Sequence, residues 1–145
     1  MILVDANLLI YAAHHAAPEH ERARSWLDDR LNGTTRVGLP WPSLLAFVRL
    51  ASNPAVARNP VTPADAWRQV KDWLACEPAW IPVPGDSHAE ILGPLIANPI
   101  VTNRLVSDAH LAALAIEHGL ILCSTDGDFA RFPGLTWHNP LAANP

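Results

Sequence analysis

Lysine is nearly absent from this chain. Of its ten basic residues only Lys71 is lysine, and the other nine are arginine. Cysteine is scarce as well. Cys76 and Cys123 stand apart in apolar or helical stretches with no metal-ligand spacing, which excludes a thiolate zinc site and predicts buried free thiols. A basic surplus is missing too: the formal net charge is −4, which excludes a protein that holds nucleic acid by bulk charge alone. No apolar run reaches the roughly 18 residues of a membrane span. The opening apolar run is broken at Asp5 and Asn7 and has no basic start, so it does not read as a signal peptide, and a cytoplasmic protein is expected. Half the residues are hydrophobic, which excludes a disordered chain. No internal repeat, low-complexity tract or linker divides it, and 145 residues fit one domain, 1–145.

What is present is an alternation of short apolar runs and helical patterns. Ile2 to Val4 reads as a buried strand and Ala6 to about His14 as a helix. A second helix carries Ala23, Trp26, Leu27 and Leu31 on one face and stops at Asn32-Gly33. Arg36 to Leu39 is a second strand, followed through Pro40-Trp41-Pro42 by a helix from Ser43 to about Ser52. Thr62-Pro63-Ala64-Asp65 is a strong helix start, and Trp67, Val70, Trp73 and Leu74 give that helix an apolar face. Ile81 to Val83 is a third strand, and Ser87-His88-Ala89-Glu90 fits a capping box. A helix opened by Asp108 ends at Gly119, Leu120 to Ser124 is a fourth strand, and Thr136-Trp137 a short last one. The expected fold is α/β: a central parallel sheet of about four to five short strands flanked by helices.

Four aspartates fall at the punctuation of this pattern. Asp5 follows the first strand, Asp108 opens a helix, and Asp126 and Asp128 flank Gly127 just after the fourth strand. Each taken alone has a structural reading as a helix cap or turn residue. Carboxylates from several such turns meet only where parallel strands end together, which is where open α/β sheets place their sites. Such a cluster needs a cation to stay ionised, so the pattern predicts a Mg²⁺ or Mn²⁺ centre and metal-assisted phosphodiester hydrolysis. Asn7 is a candidate partner that holds Asp5, and Ser107 and Thr125 are candidates to orient the acids.

The opening Leu3-Val-Asp-Ala-Asn7, the block Leu105 to Gly119, Ser124-Thr-Asp-Gly-Asp-Phe129 and the ending Phe132 to Leu141 together resemble a PIN-domain ribonuclease of the VapC toxin family. The likeness runs over nearly the whole chain. It implies a PIN-like parallel sheet, an acidic pocket holding Mg²⁺ or Mn²⁺, selective RNA cleavage, a VapB-type antitoxin that fills the groove, and a homodimer. Carried over by position, it implies Asp5, Asp108 and Asp126 as metal-binding catalytic residues, with Asp128 as the accessory acid.

One departure stands out. Many PIN domains carry a glutamate in the helix after the second strand, and here Ala46 stands at about that place. Fewer protein ligands and weaker metal affinity are expected. Arg49 shares a helix face with Ala46 and is a candidate phosphate contact, with a surface or acid-paired arginine as the alternative. Glu117 lies about 13 Å along the helix from Asp108 and nearly half a turn round, too far to replace the missing ligand. His110 is roughly 200° round from Asp108 and cannot face the same ion. His14, His15 and His20 read as surface histidines, Trp26, Trp67 and Trp73 as core, and Trp41 and Trp80 stay open. Haloacid-dehalogenase-type phosphatases and receiver domains are disfavoured: the former need a second Asp where Asn7 stands, and both need a lysine near the site. The remaining alternative is a weak or inert PIN-like module that binds RNA or a partner without cutting. The RNA target is not legible from the residues.

Overall fold

The computed structural model describes residues 1–143, so the last two residues of the expected domain lie outside the described ones. Its sheet holds five strands in the order β3-β2-β1-β4-β5: β1 Ile2–Val4, β2 Val37–Gly38, β3 Ala79–Trp80, β4 Ile121–Cys123 and β5 Trp137–His138. Every pairing is parallel, with Leu3 beside both Gly38 and Leu122. The chain moves outward from β1 to β2 and β3, then returns to lay β4 on the other side of β1. The order therefore reverses between β1 and β4, and the crevice beyond their carboxyl ends is the place where this architecture leaves room for a ligand.

The helices are α1 Ala6–Ala13, α2 His20–Leu31, α3 Trp41–Ala51, α4 Pro63–Leu74, α5 His88–Ala97 and α6 Val106–His118. Alternate strand residues feed two cores, one on each face of the sheet. Val4 and Cys123 pack with Leu8, Leu9, Leu27, Leu44, Phe47 and Val70 of α1 to α4. Leu3 and Leu122 pack with Leu95 of α5 and Ala112 and Leu114 of α6. Thr62 caps α4 by accepting from the Asp65 N–H at 3.1 Å, and Gly119 ends α6 in the left-handed region at φ 65°, as their residue types predict.

Several boundaries fall elsewhere than the local pattern suggests. The third strand is Ala79–Trp80 and not Ile81–Val83. Pro82 has no N–H for a ladder, and its ring sits so close to Gly38 that a Cβ there would lie 3.1 Å from Pro82 Cγ. Ser87 is already helical (φ −88°, ψ −3°) and its hydroxyl caps nothing, so the capping box does not form. α3 starts two residues early, at Trp41, because Pro42 is tolerated in a first turn whose N–H groups have no helical partner. Asp108 does not open its helix. A 3-10 turn, Asn103–Leu105, leads into α6, and Asp108 is its third residue. Nor does it follow a strand, since α5 and α6 come in succession between β3 and β4.

Three side chains also differ from expectation. Trp67 is 41 % exposed. Ala66, Val70 and Trp73 form the buried stripe of α4, and Trp67 lies about 100° round from Ala66, at the stripe's edge. His20 is buried, with Nδ1 2.9 Å from the Tyr11 carbonyl. Cys123 is a buried free thiol, pushed up to about 12 by burial, whereas Cys76 is only half-buried.

Candidate metal centre

β1 and β4 are neighbours, so Asp5, one residue past β1, and Ser124, one residue past β4, leave the sheet side by side. The Asp5 N–H continues the ladder to the Cys123 carbonyl at 3.0 Å. Its side chain caps α1, with Oδ1 accepting from the Ala6 N–H at 2.8 Å. The other oxygen, Oδ2, accepts from the Ser124 hydroxyl at 2.7 Å. Ser124 Oγ in turn accepts from Asn7 Nδ2 and from the Asp126 N–H, both at 3.0 Å. A hydroxyl has one proton and two lone pairs. Both lone pairs are taken by donors, so its proton must point at Asp5. Ser124 thus joins the first acidic turn to the last and fixes Asp5 as an acceptor.

α6 runs back toward the start of β4, which places its first turn at the carboxyl end of the sheet. Asp108 and Ser107 there line a cleft of about 360 Å³ together with Asp5, the cap of α1, and Pro42, Ser43, Ala46 and Arg49 from α3. Ala46, the position where an acid is missing, is therefore a wall of this cleft. Arg49 is exposed on the same wall and has no carboxylate partner among the described residues.

The charges repel. The Asp108 carboxyl is pushed up to about 6 by burial, then by Asp5, Asp126 and Asp128 in that order. Burial also raises Asp5, against the Ser124 and Ala6 hydrogen bonds that lower it, and Asp126 adds a further upward push. The N-terminus of α6 favours a negative charge in its first turn, yet does not outweigh these effects. The four side chains do not form one coordinating group: among the described residues no three of His, Cys, Asp and Glu do so. Asp126 Oδ1 accepts from the Asp128 N–H at 2.9 Å, and Asp128 leans toward Arg131 at 3.6 Å. Mutual repulsion spreads the acids onto the nearest local donors and cations.

The donor set nevertheless fits a hard divalent ion. It consists of carboxylate oxygens, two of them raised toward protonation, with no thiol or imidazole lining the cleft. The Ser43 hydroxyl, which lines the cleft, and the amide oxygen Oδ1 of Asn7, whose Nδ2 donates to Ser124, are buried without a hydrogen-bond partner. Two neutral oxygens beside repelling carboxylates are what a cation and its waters satisfy.

Of the residues singled out from sequence, the structure brings Asp5, Asn7 and Asp126 together through Ser124, and Asp5, Ser107, Asp108 and Arg49 around the cleft. Neither Ser107, which is exposed, nor Thr125, half-buried, donates a side-chain hydrogen bond among the described residues. The organising hydroxyl is Ser124, which sequence reasoning passed over. Its signal was its place: the first polar residue after an apolar strand, two before an aspartate. Ser43 was missed too, because a serine in the first turn of a helix is too ordinary to notice. His110 and Glu117, set aside from sequence, are engaged elsewhere. His88 Nε2 lies 3.1 Å from His110 Nδ1, and His88 Nδ1 lies at ion-pair distance, 3.3 Å, from Glu117 Oε2.

Comparison with known proteins identifies the family and the fold. The family model described as PIN domain matches residues 2–135. Ribonuclease VapC37 of Mycobacterium tuberculosis is 44 % identical over 142 residues, 98 % of this chain and 99 % of its own length. Ribonuclease VapC33 of the same species is 39 % identical, over 97 % of this chain and 99 % of its own length. Among solved structures, VapBC2 from Rickettsia felis, bound to a DNA fragment from its promoter, superposes with a TM-score of 0.70 at 17 % identity, covering 96 % of this chain and 98 % of that one. FitAcB from Neisseria gonorrhoeae gives a TM-score of 0.62 at 18 % identity, over 97 % and 98 % of the two chains.

Proposed function

The chain belongs to the PIN-domain family and, within it, to the VapC ribonucleases, and from that membership we infer that it is a metal-dependent endoribonuclease, the toxin of a VapBC-type toxin–antitoxin pair. The observation that carries the reading is the joining of Asp5 and Asp108 in one cleft at the β1/β4 switch point, with Asp108 raised to about 6 and Arg49 unpaired on the facing wall.

Asp5, Asp108 and Asp126 would hold Mg²⁺ or Mn²⁺, with Asp128 released from Arg131 to assist. Such an ion, when bound, supplies Lewis-acid polarisation of a phosphate and a water of lowered pKa. The chain's own residues do the rest. Ser124 aims Asp5 and favours its ionised form by donating to it, against the larger effect of burial, and Asn7 holds Ser124. Arg49 draws the scissile phosphate to the mouth of the cleft, a contact that its planar fork of donors suits. No side chain lining the cleft is an activated nucleophile, so water attacks and the products carry a 5′-phosphate and a 3′-hydroxyl. The partners of this reading are RNA, a VapB-type antitoxin that covers the cleft, and a second copy in a homodimer. The reading treats residues 1–145 as one domain working in the cytoplasm. Among the described residues no helix is long and apolar enough to cross a membrane.

The test is cleavage of total RNA by the purified chain with Mg²⁺ or Mn²⁺, against EDTA and Asp5→Asn. Discrete cuts lost in both controls are expected, and a 2′,3′-cyclic phosphate product would rule out the water mechanism. Ala46 favours one competing reading, a module that binds RNA without cutting. That module would show neither cleavage nor a rise in melting temperature with the metal.

A further inference from the structure

Two of the six tryptophans are left on the surface together. Trp41, the first residue of α3, is 39 % exposed and Trp67 of α4 is 41 % exposed. Their rings are 11° from parallel with centroids 6.3 Å apart. Large aromatic surface left in water is unfavourable, and each ring covers only one face of the other. The pair adjoins the acidic cleft. Pro42 and Ser43, the next residues of α3, line it, as do Leu45 and Arg49. Trp41, Leu45 and Arg49 succeed one another at four-residue steps and so form a single ridge along the helix. Leu45 is 57 % exposed and Arg49 is exposed. From indole to guanidinium the ridge rises about 12 Å along the axis.

We propose that this ridge is a base-stacking platform for single-stranded RNA, with an unstacked base on the Trp41–Trp67 pair and a neighbouring phosphate on Arg49. The proposal rests on the ribonuclease reading and adds where the strand lies and why it must be unpaired. The order of chemistries along α3 argues for this occupant. A flat apolar surface at one end of the ridge, a cation at the other and a cleft of carboxylates alongside from Pro42 to Arg49 match base, phosphate and reacting phosphate of one strand. Bases within a duplex have no free face to offer, whereas any unpaired base does.

The test is the affinity of the full-length chain for a fluorescein-labelled single-stranded RNA in EDTA, where turnover is not read. The same strand made abasic at its centre and the corresponding duplex serve as controls. Trp41→Ala is expected to weaken single-strand binding by about tenfold, the scale of losing one stacked base. It should leave the abasic strand and the duplex unchanged. Trp41→Phe should restore most of the affinity, and Trp67→Ala should repeat the loss; thermal melting confirms that each variant is folded. An equal loss on the abasic strand, or no loss at all, overturns the platform. So does sedimentation showing that Trp41→Ala turns a dimer into a monomer without altering RNA affinity, which would assign the ridge to self-association. Failure of cleavage with these affinities intact would sink the ribonuclease reading alone; failure of the affinities with cleavage intact would sink only the platform.

Discussion

At the carboxyl end of the sheet Asp5, Asp126 and Asp128 come near enough to push Asp108 up, and among the described residues the one cation at ion-pair distance from any of the four is exposed Arg131, 3.6 Å from Asp128. Around His88, between α5 and α6, a single carboxylate is matched by its surroundings. Glu117 accepts from the Gly85 N–H at 3.1 Å and lies beside His88, which reaches on to His110. The Gly85 contact lowers the Glu117 carboxyl most, with His88 and His118 adding to it. Gly85 is needed for that approach, since a Cβ there would stand 2.6 Å from Glu117 Oε1. His88 stands between the two, with Nδ1 toward Glu117 and Nε2 sharing one hydrogen bond with His110 Nδ1 at 3.1 Å. Burial, and then His88, lower His110. One cluster sets its carboxylate among donors and joins two helices, although His88 Nδ1, 3.3 Å from Glu117 Oε2, makes no hydrogen bond. The other cannot be satisfied by protein groups. That difference separates a structural polar cluster from a functional one where a count of buried ionisable groups would not.

The sharpest way to break the contrast is to neutralise one member of each. Asp108→Asn should cut ribonuclease turnover by about 10²-fold or more, the scale of losing one group that stabilises developing charge. It should at the same time raise the melting temperature of the metal-free protein, because it removes a repelled charge. A lower melting temperature in EDTA would mean that Asp108 is already satisfied. Ser124→Ala leaves Asp5, Asn7 and the Asp126 N–H short of a partner, and should cost about 2 kcal/mol in denaturant unfolding and roughly tenfold in turnover. Glu117→Gln should do the reverse of Asp108→Asn, lowering the melting temperature while leaving turnover close to wild type. Equal damage to turnover would join the two clusters into one site.

The smallest effect is in pH, and its sign differs between the clusters. Asp108 is raised in the fold, from 3.8 to about 6. The folded state therefore binds more protons than the unfolded one in that window, and this contribution to stability is lost as pH rises from about 4 through about 6. Glu117 and His110 are lowered, so their contribution is lost as pH falls, through the lowered Glu117 and below the ordinary histidine range. Thermal melts in EDTA across pH 4 to 8 should show the Asp108 loss in wild type. Asp108→Asn should reduce that loss to the part the raised Asp5 contributes, set against the opposite slope of Glu117 and His110, and saturating Mg²⁺ should flatten the wild-type loss.

Much of the frame was readable from neighbours in the chain. The apolar run before Asp5, the Thr62 cap with Pro63 behind it and the Gly119 stop are local signals, and each acts over a few residues. The same holds for Asp5, Asp126 and Asp128, because an aspartate past a strand of a parallel sheet has only one end of the sheet to occupy, whereas Asp108 reaches that end through the direction in which α6 runs. Where expectation and structure part, a contact distant in sequence decides. Pro82 against Gly38 moves β3, and the tilt of the α4 stripe toward Val70 and Trp73 leaves Trp67 outside.

The amino-acid order by itself thus determined a parallel α/β sheet with aspartates at its carboxyl end, since periodicity and capping are settled within a turn or a strand. Tertiary structure alone decided that Ser124 would donate to Asp5, a bond between residues 119 positions apart. It alone brought Asp5 and Asp108 to one cleft, with Asp126 and Asp128 near enough for their charge, added to burial, to move Asp108. It alone supplied the partners of His110 and Glu117, which helix geometry had already set aside, by bringing both to His88. Hydrogen bonding and Coulomb repulsion act across a few ångströms of space, and only the packing of β1 beside β4, and of α6 beside α5, brings those groups that close.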